Sequence, residues 1–126
     1  MALEDGITLG ILLGTLYKST PRMPTKQRNT HIPELLQLFE ELRKPRTSLN
    51  QKGSQSNQFW YQASTPEDME KRNKVLRSAD GLSKCEWKGA DLEYQRDLLG
   101  FDAKQNAVEA FQDWAKQVLD SDSRQT

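Results

Sequence analysis

The sequence predicts a mainly α-helical protein, a small bundle of four to five helices, on the basis of three observations. Two segments, 33–44 and 103–119, carry apolar residues at helical spacing. Capping residues and first-turn prolines mark the start of several segments. The apolar N-terminal segment also fits a helix. Two short pieces, 58–63 and 82–88, remain candidates for β structure. The 126 residues are expected to form a single domain.

The first predicted element is an apolar helix over 3–17. Gly6, Gly10 and Gly14 fall four residues apart, so on a helix they form one stripe that lets another backbone approach closely. Each glycine also costs a helix about 1 kcal/mol relative to alanine, so a strand through 7–9 stays open. Residues 6–17 carry no charge. We therefore expect this element to pack against protein, within the fold or between subunits, rather than to enter a membrane.

The next stretch is predicted to be a linker followed by a helix. A basic linker is predicted over 18–31, because its two prolines disfavour a helix. The helix over 33–44 begins with Pro33, which is tolerated in a first turn, and presents one apolar face to the core. Basic residues at its C-terminal end suit the helix dipole. Pro45 is predicted to end it.

Residues 45–65 are polar, low in charge and without a helical stripe, so a loop or arm is predicted there. A loop of this length is uncommon inside a compact domain and is usually functional or disordered. It contains Phe59-Trp60-Tyr61. Three adjacent large aromatic residues cannot all face one side of a helix or a strand. We therefore expect at least one of them to project outward or to contact another subunit.

Three more helices are predicted in the C-terminal half. The first, over 65–78, opens with an N-cap threonine, a proline and two acids. A short helix follows over 90–99. Asp102 then caps the most amphipathic helix of the chain, over 103–119. We expect the last two helices, together with 33–44, to form the compact core.

The net charge of zero conceals an uneven distribution. The chain has 18 basic and 18 acidic residues, yet segment 18–52 holds eight bases and only three acids. Several bases in an extended segment can follow a phosphate backbone, and the aromatic triplet could add base stacking. A solvated linker and a basic helix end explain the same residues more simply. The candidate contacts to phosphate or to an acidic protein partner are Lys18, Arg22, Lys26, Arg28, Arg43, Lys44 and Arg46.

The sequence contains no pattern typical of a catalytic, cofactor or metal site. One cysteine and one histidine exclude an internal disulfide framework and Cys-rich or His-rich metal sites. His31 precedes a helix and is expected to be a capping or exposed residue, whereas Cys85 is interpreted as a small, half-buried hydrophobic residue. No glycine loop suited to phosphate is present. We therefore expect a protein that is not an enzyme, with no cofactor and no evident small-molecule substrate.

These observations favour a structural, assembly or protein-interaction component of a larger complex, such as a viral or phage particle. Protein partners or self-association are expected, and the candidate interface anchors are Gly6, Gly10, Gly14, Phe59, Trp60 and Tyr61. A nucleic-acid-binding accessory protein that uses 18–52 is the first alternative. A small inhibitor or adaptor of another protein is the second.

The sequence also gives expectations about location. The apolar run 6–17 is about half the roughly 20 residues that a membrane-spanning helix needs, so no membrane span is predicted. The N-terminus carries acids where a signal peptide has positive charge. The single thiol suits a reducing environment. We expect a protein of the cytoplasm, another reducing compartment or a viral particle, not one secreted by a signal peptide.

Overall fold

The computed structural model describes residues 1–78 and 84–124 and confirms a mainly α-helical fold. The described part contains five helices of eight or more residues and one of five residues. In chain order they are α1 (Ala2–Ser19), α2 (Thr25–Asn29), α3 (Ile32–Tyr61), α4 (Pro66–Ser78), α5 (Leu92–Leu99) and α6 (Ala103–Arg124).

The chain divides into two compact units. The terminal unit consists of Met1–Pro45 and the segment from Asp102 onward, and the central unit consists of Arg46–Phe101. The terminal unit therefore holds α1, α2, the first part of α3 and α6. The central unit holds the remainder of α3 together with α4 and α5.

The terminal unit is built around a small apolar core to which α1, α3 and α6 all contribute. Its buried residues are Leu12, Leu16, Leu35 and Phe111. The expected core of 33–44, 90–99 and 103–119 is therefore wrong in one member, because α1 contributes here while α5 belongs to the central unit. The segment 3–17 forms a helix, not a strand, because its leucines at positions 12 and 16 bury one helical face against α3 and α6.

Half of the linker predicted over 18–31 is helical. Its first two residues end α1, and α2 occupies Thr25–Asn29. Pro21 and Pro24 lie in the turn between these helices. Pro24 directly precedes α2 as its N-cap residue, a place where a missing N–H leaves no helical hydrogen bond unmade.

α3 corrects two predictions. Pro45, which was expected to end the helix, lies inside it. Segment 45–65 was expected to be a loop or arm, and the candidate β piece 58–63 lay within it, yet the chain is helical to Tyr61. The inward-facing positions of this part of the helix recur at helical spacing, but most of them are not apolar. The sequence therefore shows no hydrophobic periodicity here from which a helix could be predicted. The inward-facing positions are Arg46, Asn50, Gly53, Asn57 and Trp60.

The central unit confirms the helix predicted over 65–78 and the short helix before Gly100. The Thr65 hydroxyl accepts a hydrogen bond from the Asp68 N–H at 3.1 Å, so it caps α4. The Asp91 carboxylate caps α5 by accepting from the Tyr94 N–H at 3.0 Å. Of the other candidate β piece, residues 84–88 form no strand, and 82–83 lie outside the described residues.

Candidate functional site

One face of α1 exposes apolar groups and backbone to solvent. Leu3 is 77% exposed and Ile7 is 38% exposed. Three glycines share this side of the helix, since residues three, four and seven apart align on one face. We name it the α1 outer face, which consists of Leu3, Gly6, Ile7, Gly10, Gly14 and Tyr17.

The glycine stripe of the α1 outer face meets no other element in the described part of the chain. A Cβ atom built on Gly6, Gly10 or Gly14 would have no atom within 4 Å. The sequence left open whether this stripe packs within the fold or between subunits, and among the described residues no second helix makes a close backbone approach to it. The opposite face of α1, with Thr8, Leu12 and Leu16, is the buried one.

A buried arginine attaches the first turn of α1 to α3. Arg43 is 3% exposed. Its Nη2 lies 2.9 Å from a carboxylate oxygen of Glu4, and its Nε lies 2.6 Å from one of Asp5. A buried guanidinium is stable when such charge-assisted hydrogen bonds surround it. Arg43 was a predicted partner or phosphate contact, but the structure uses it to fix the position of α1.

Two other predicted contact arginines also bind their own chain. In the terminal unit, Arg28 donates from Nε to the Thr20 hydroxyl at 2.9 Å and from Nη2 to the Met23 carbonyl at 3.1 Å. In the central unit, Arg46 donates to the Leu98 carbonyl at 2.7 Å, where it satisfies a carbonyl at the C-terminal end of α5. Three of the predicted contact residues in segment 18–52, namely Arg28, Arg43 and Arg46, therefore bind groups within their own chain.

The other predicted basic contacts lie on the surface. Lys18, Arg22 and Lys26 are exposed around the turn between α1 and α2. Lys44 is exposed as well, and its Nζ lies 3.4 Å from a Glu40 carboxylate oxygen. The structure therefore leaves a smaller basic surface than the seven residues that the sequence suggested.

The aromatic triplet separates into one core residue and two surface residues. Trp60 is 4% exposed and stacks on Trp87, with 6.2 Å between ring centroids. Tyr61 is 68% exposed, and its ring lies edge-on to Trp87. Phe59 is exposed beneath the Lys71 ammonium group, which is 5.2 Å from the ring centroid. Of the three aromatic residues predicted as interface anchors, Trp60 is therefore buried in the core of the central unit.

A groove between α3 and α6 in the terminal unit is a feature that sequence reasoning missed. Its volume is about 490 Å³, and it is partly open to solvent. We name it the α3–α6 groove. Its lining residues are Glu34, Gln37, Leu38, Glu41, Ala110, Asp113, Trp114, Gln117 and Val118. In the sequence, each of the two helices has acidic and glutamine side chains beside its apolar stripe. The sequence does not show that these polar side chains of α3 and α6 face each other across a groove.

The lone histidine lies next to this groove. His31 was expected to be a capping or exposed residue, but it is buried. Its Nδ1 lies 3.5 Å from a Glu34 carboxylate oxygen, and its ring meets the Trp114 ring edge-on at 5.6 Å. The expectation failed because the helix entrance packs against α6, whose tryptophan covers the imidazole.

In the central unit, the carboxyl group of Asp91 has a strongly lowered pKa. Hydrogen bonds from the Tyr94 N–H and from the Lys88 ammonium lower the pKa of Asp91 to about 2. The Lys88 Nζ lies 2.9 Å from its carboxylate oxygen. The nearby Cys85 is half-buried and unpaired in any disulfide. The N-cap hydrogen bond and the Lys88 ammonium group together account for the low pKa of Asp91.

Within residues 1–78 and 84–124, no group of three or more His, Cys, Asp or Glu side chains is arranged to hold a metal ion. In the same part of the chain, no helix combines the length and hydrophobicity that crossing a membrane requires. No protein-family model, curated protein or solved structure matches this chain.

Proposed function

We propose that this protein is a non-enzymatic component of a larger protein assembly and that the α1 outer face is its main interaction surface. The observation that carries the proposal is an exposed helical face that has apolar side chains and open glycine backbone but no charge between Gly6 and Tyr17. Contiguous apolar surface of this kind marks protein interaction sites on soluble domains.

The glycines suit this surface to a helix of another subunit. They align over two turns, about 12 Å of helix, and leave a shallow channel into which a neighbouring helix can fit. Close backbone approach brings many atoms into van der Waals contact, and each contact adds a small attraction. Leu3, Ile7 and Tyr17 then surround the channel with apolar contact area.

The anchoring of α1 supports the same proposal. Arg43 fixes the first turn, while Leu12 and Leu16 hold the opposite face in the core. The outer face is therefore formed before any partner arrives, so binding requires little ordering of the chain. A multi-subunit particle, such as a viral or phage structural complex, is the kind of assembly that we propose for a small helical chain with such a surface.

Sedimentation velocity of the purified full chain tests this proposal. At micromolar concentration we expect species larger than the 14.5 kDa monomer. Gly10→Leu places a large side chain in the channel and should shift the population to monomer. Gln112→Leu is the matched control, because it adds the same side chain to an exposed position on α6. A folded monomer that persists at micromolar concentration without a partner would contradict the proposal.

The exposed bases favour a nucleic-acid-binding accessory role as a second candidate. Lys18, Arg22 and Lys26 are exposed, and no acid occurs between residues 6 and 33. Three phosphate contacts would give weak binding that falls steeply with salt. An electrophoretic shift at low salt that disappears in the triple alanine variant would support this role, and the absence of any shift at low salt would eliminate it.

A further inference from the structure

We infer that the α3–α6 groove binds the basic turn, residues 18–26, of a second copy of this chain. The inference rests on the proposed assembly function and adds to it a contact of different chemistry, formed by residues that are not part of the α1 outer face. It starts from the composition of the groove, which is apolar along its floor and acidic at its rim.

The floor of the groove is formed by Leu38 from α3 and by the stripe Ala110, Trp114 and Val118 from α6. These three α6 residues are spaced by four and so lie along one side of the helix. Trp114 gives the floor a flat aromatic surface. Apolar side chains and cationic groups both bind well on such a ring.

Among the described residues, those at the rim of the groove include three acids and no base. Glu34 and Glu41 stand on α3 seven residues apart, which is about 10 Å along the helix, and Asp113 faces them from α6. Glu41 accepts a hydrogen bond from the Gln37 amide at 3.1 Å. Lys116 lies 3.8 Å from Asp113 and offsets part of its charge, but it does not line the groove.

The basic turn has the complementary composition. Lys18, Arg22 and Lys26 are exposed, and between residues 6 and 33 the sequence contains no acid. The half-buried Met23 lies among these bases, and a flexible thioether of this kind packs readily against an aromatic ring. None of these residues lines the groove of its own chain.

The basic turn is also held in a fixed shape. Arg28 binds the Thr20 hydroxyl and the Met23 carbonyl, so it braces the turn from inside. The two prolines further restrict its backbone. Three bases on a braced turn therefore meet three acids around an aromatic floor, with little ordering needed on either side.

The groove and the basic turn are two different patches of the terminal unit. A contact between them is heterologous when only one groove of a pair of copies is filled, and each copy then keeps one unused groove or turn. Such a contact propagates copy by copy until a ring closes or a filament forms, and the smallest ring is a two-fold dimer in which both grooves are filled. This behaviour suits a component of a repeating particle and gives the inference a sharp test.

The test uses charge reversal in the Gly10→Leu background, in which the α1 contact is blocked. Glu41→Lys damages the groove and Arg22→Glu damages the basic turn. Glu109→Lys is the matched control for the groove, because Glu109 is also an exposed glutamate that accepts from a glutamine four residues before it, at 2.8 Å. Lys104→Glu, another exposed position on α6, is the control for the turn.

Sedimentation velocity at low salt, about 50 mM, should show that the Gly10→Leu chain still associates weakly. Each groove or turn reversal should weaken this association at least about tenfold, because attraction is replaced by repulsion. Neither control should do so. An equimolar mixture of the Glu41→Lys and Arg22→Glu chains should associate more strongly than either chain alone, because intact grooves meet intact turns and the two reversed charges also attract each other.

Three outcomes would overturn the inference: a Gly10→Leu chain that stays monomeric at low salt, controls that weaken association as much as the reversals, or a mixture that remains monomeric. Circular dichroism of each variant establishes that it is folded. The proposed function fails separately. A wild-type chain that associates and loses association through Gly10→Leu supports that function even where the charge reversals have no effect.

Discussion

The most informative single substitution is Gly10→Ala, because its effects on stability and on assembly should have opposite signs. In the isolated chain, a Cβ at position 10 meets no atom within 4 Å. Alanine is preferred over glycine inside a helix by about 1 kcal/mol, partly because it restricts the unfolded chain. The variant should therefore unfold at higher denaturant concentration than the wild type, with a gain of about 1 kcal/mol.

In the assembly, the same methyl group would stand in the channel where we place a neighbouring helix. An extra methyl in a close-packed contact costs about 1–3 kcal/mol. This corresponds to a rise of roughly 5- to 150-fold in the dissociation constant. Urea unfolding at low protein concentration and sedimentation equilibrium at high concentration measure the two effects in one preparation.

Gly53→Ala provides the contrasting case. Gly53 lies in α3, but a Cβ there would overlap the Tyr94 hydroxyl and stand 2.7 Å from the Tyr94 Cζ. The steric cost should exceed the gain in helix propensity, so this variant should be destabilised by about 1–2 kcal/mol.

The reasoning is refuted if Gly10→Ala destabilises the isolated chain, or if it leaves association as strong as in the wild type.

Three further predictions concern what holds each unit together. Trp60→Ala should destabilise the chain by about 3–5 kcal/mol in urea unfolding because the ring is buried against Trp87. Tyr61→Ala should change stability by less than about 1 kcal/mol because that ring is largely exposed. Equal effects would contradict the assignment of Trp60 to the core and Tyr61 to the surface. Arg43→Ala should cost about 3 kcal/mol and increase amide hydrogen exchange in α1, and unchanged exchange there would contradict the anchoring role. Asp91→Asn tests the dependence of stability on acid pH. Because the pKa of Asp91 is lowered from 3.8 to about 2, the ionised carboxylate stabilises the fold above pH 4, and this stabilisation is lost as the pH falls towards 2. The melting temperatures of wild type and variant should therefore converge between pH 4 and pH 2, and a constant difference between them would refute the linkage.

The helices that the sequence predicted well are those whose buried faces are apolar or whose ends carry caps. α6 shows Ala107, Phe111 and Trp114 on one side, and α4 begins at a threonine cap followed by a proline. The second part of α3 escaped prediction for a physical reason. Its inward positions are filled by a glycine and by polar side chains, with one tryptophan at the end, so burial there leaves no hydrophobic period.

The candidate site was predictable in position along the chain but not in its surroundings. The glycine spacing showed that Gly6, Gly10 and Gly14 share a face, yet only the packing of Leu12 and Leu16 determines that this face points outward. The roles of the arginines also depend on tertiary contacts. The sequence alone does not distinguish Arg43, which is buried against α1, from Lys18, which is exposed at the C-terminal end of α1.

The α3–α6 groove was hidden for a similar reason. Glu34 and Glu41 look like the solvated side of a helix, and Asp113 looks like the solvated side of another. Their meeting around Trp114 follows from the arrangement of α3 and α6 about the terminal core. Local sequence therefore predicts which residues are polar, whereas the fold determines which of them share a surface.

Sedimentation velocity of the full wild-type chain beside Gly10→Leu tests the central claim most directly. The account predicts that the wild type forms species larger than 14.5 kDa as concentration rises through the micromolar range. It predicts that, at about 150 mM salt, which screens exposed charges, Gly10→Leu is a monomer of equal helicity at concentrations where the wild type is largely associated. A wild type that stays a folded monomer throughout, or a Gly10→Leu chain that associates as strongly as the wild type, would contradict it.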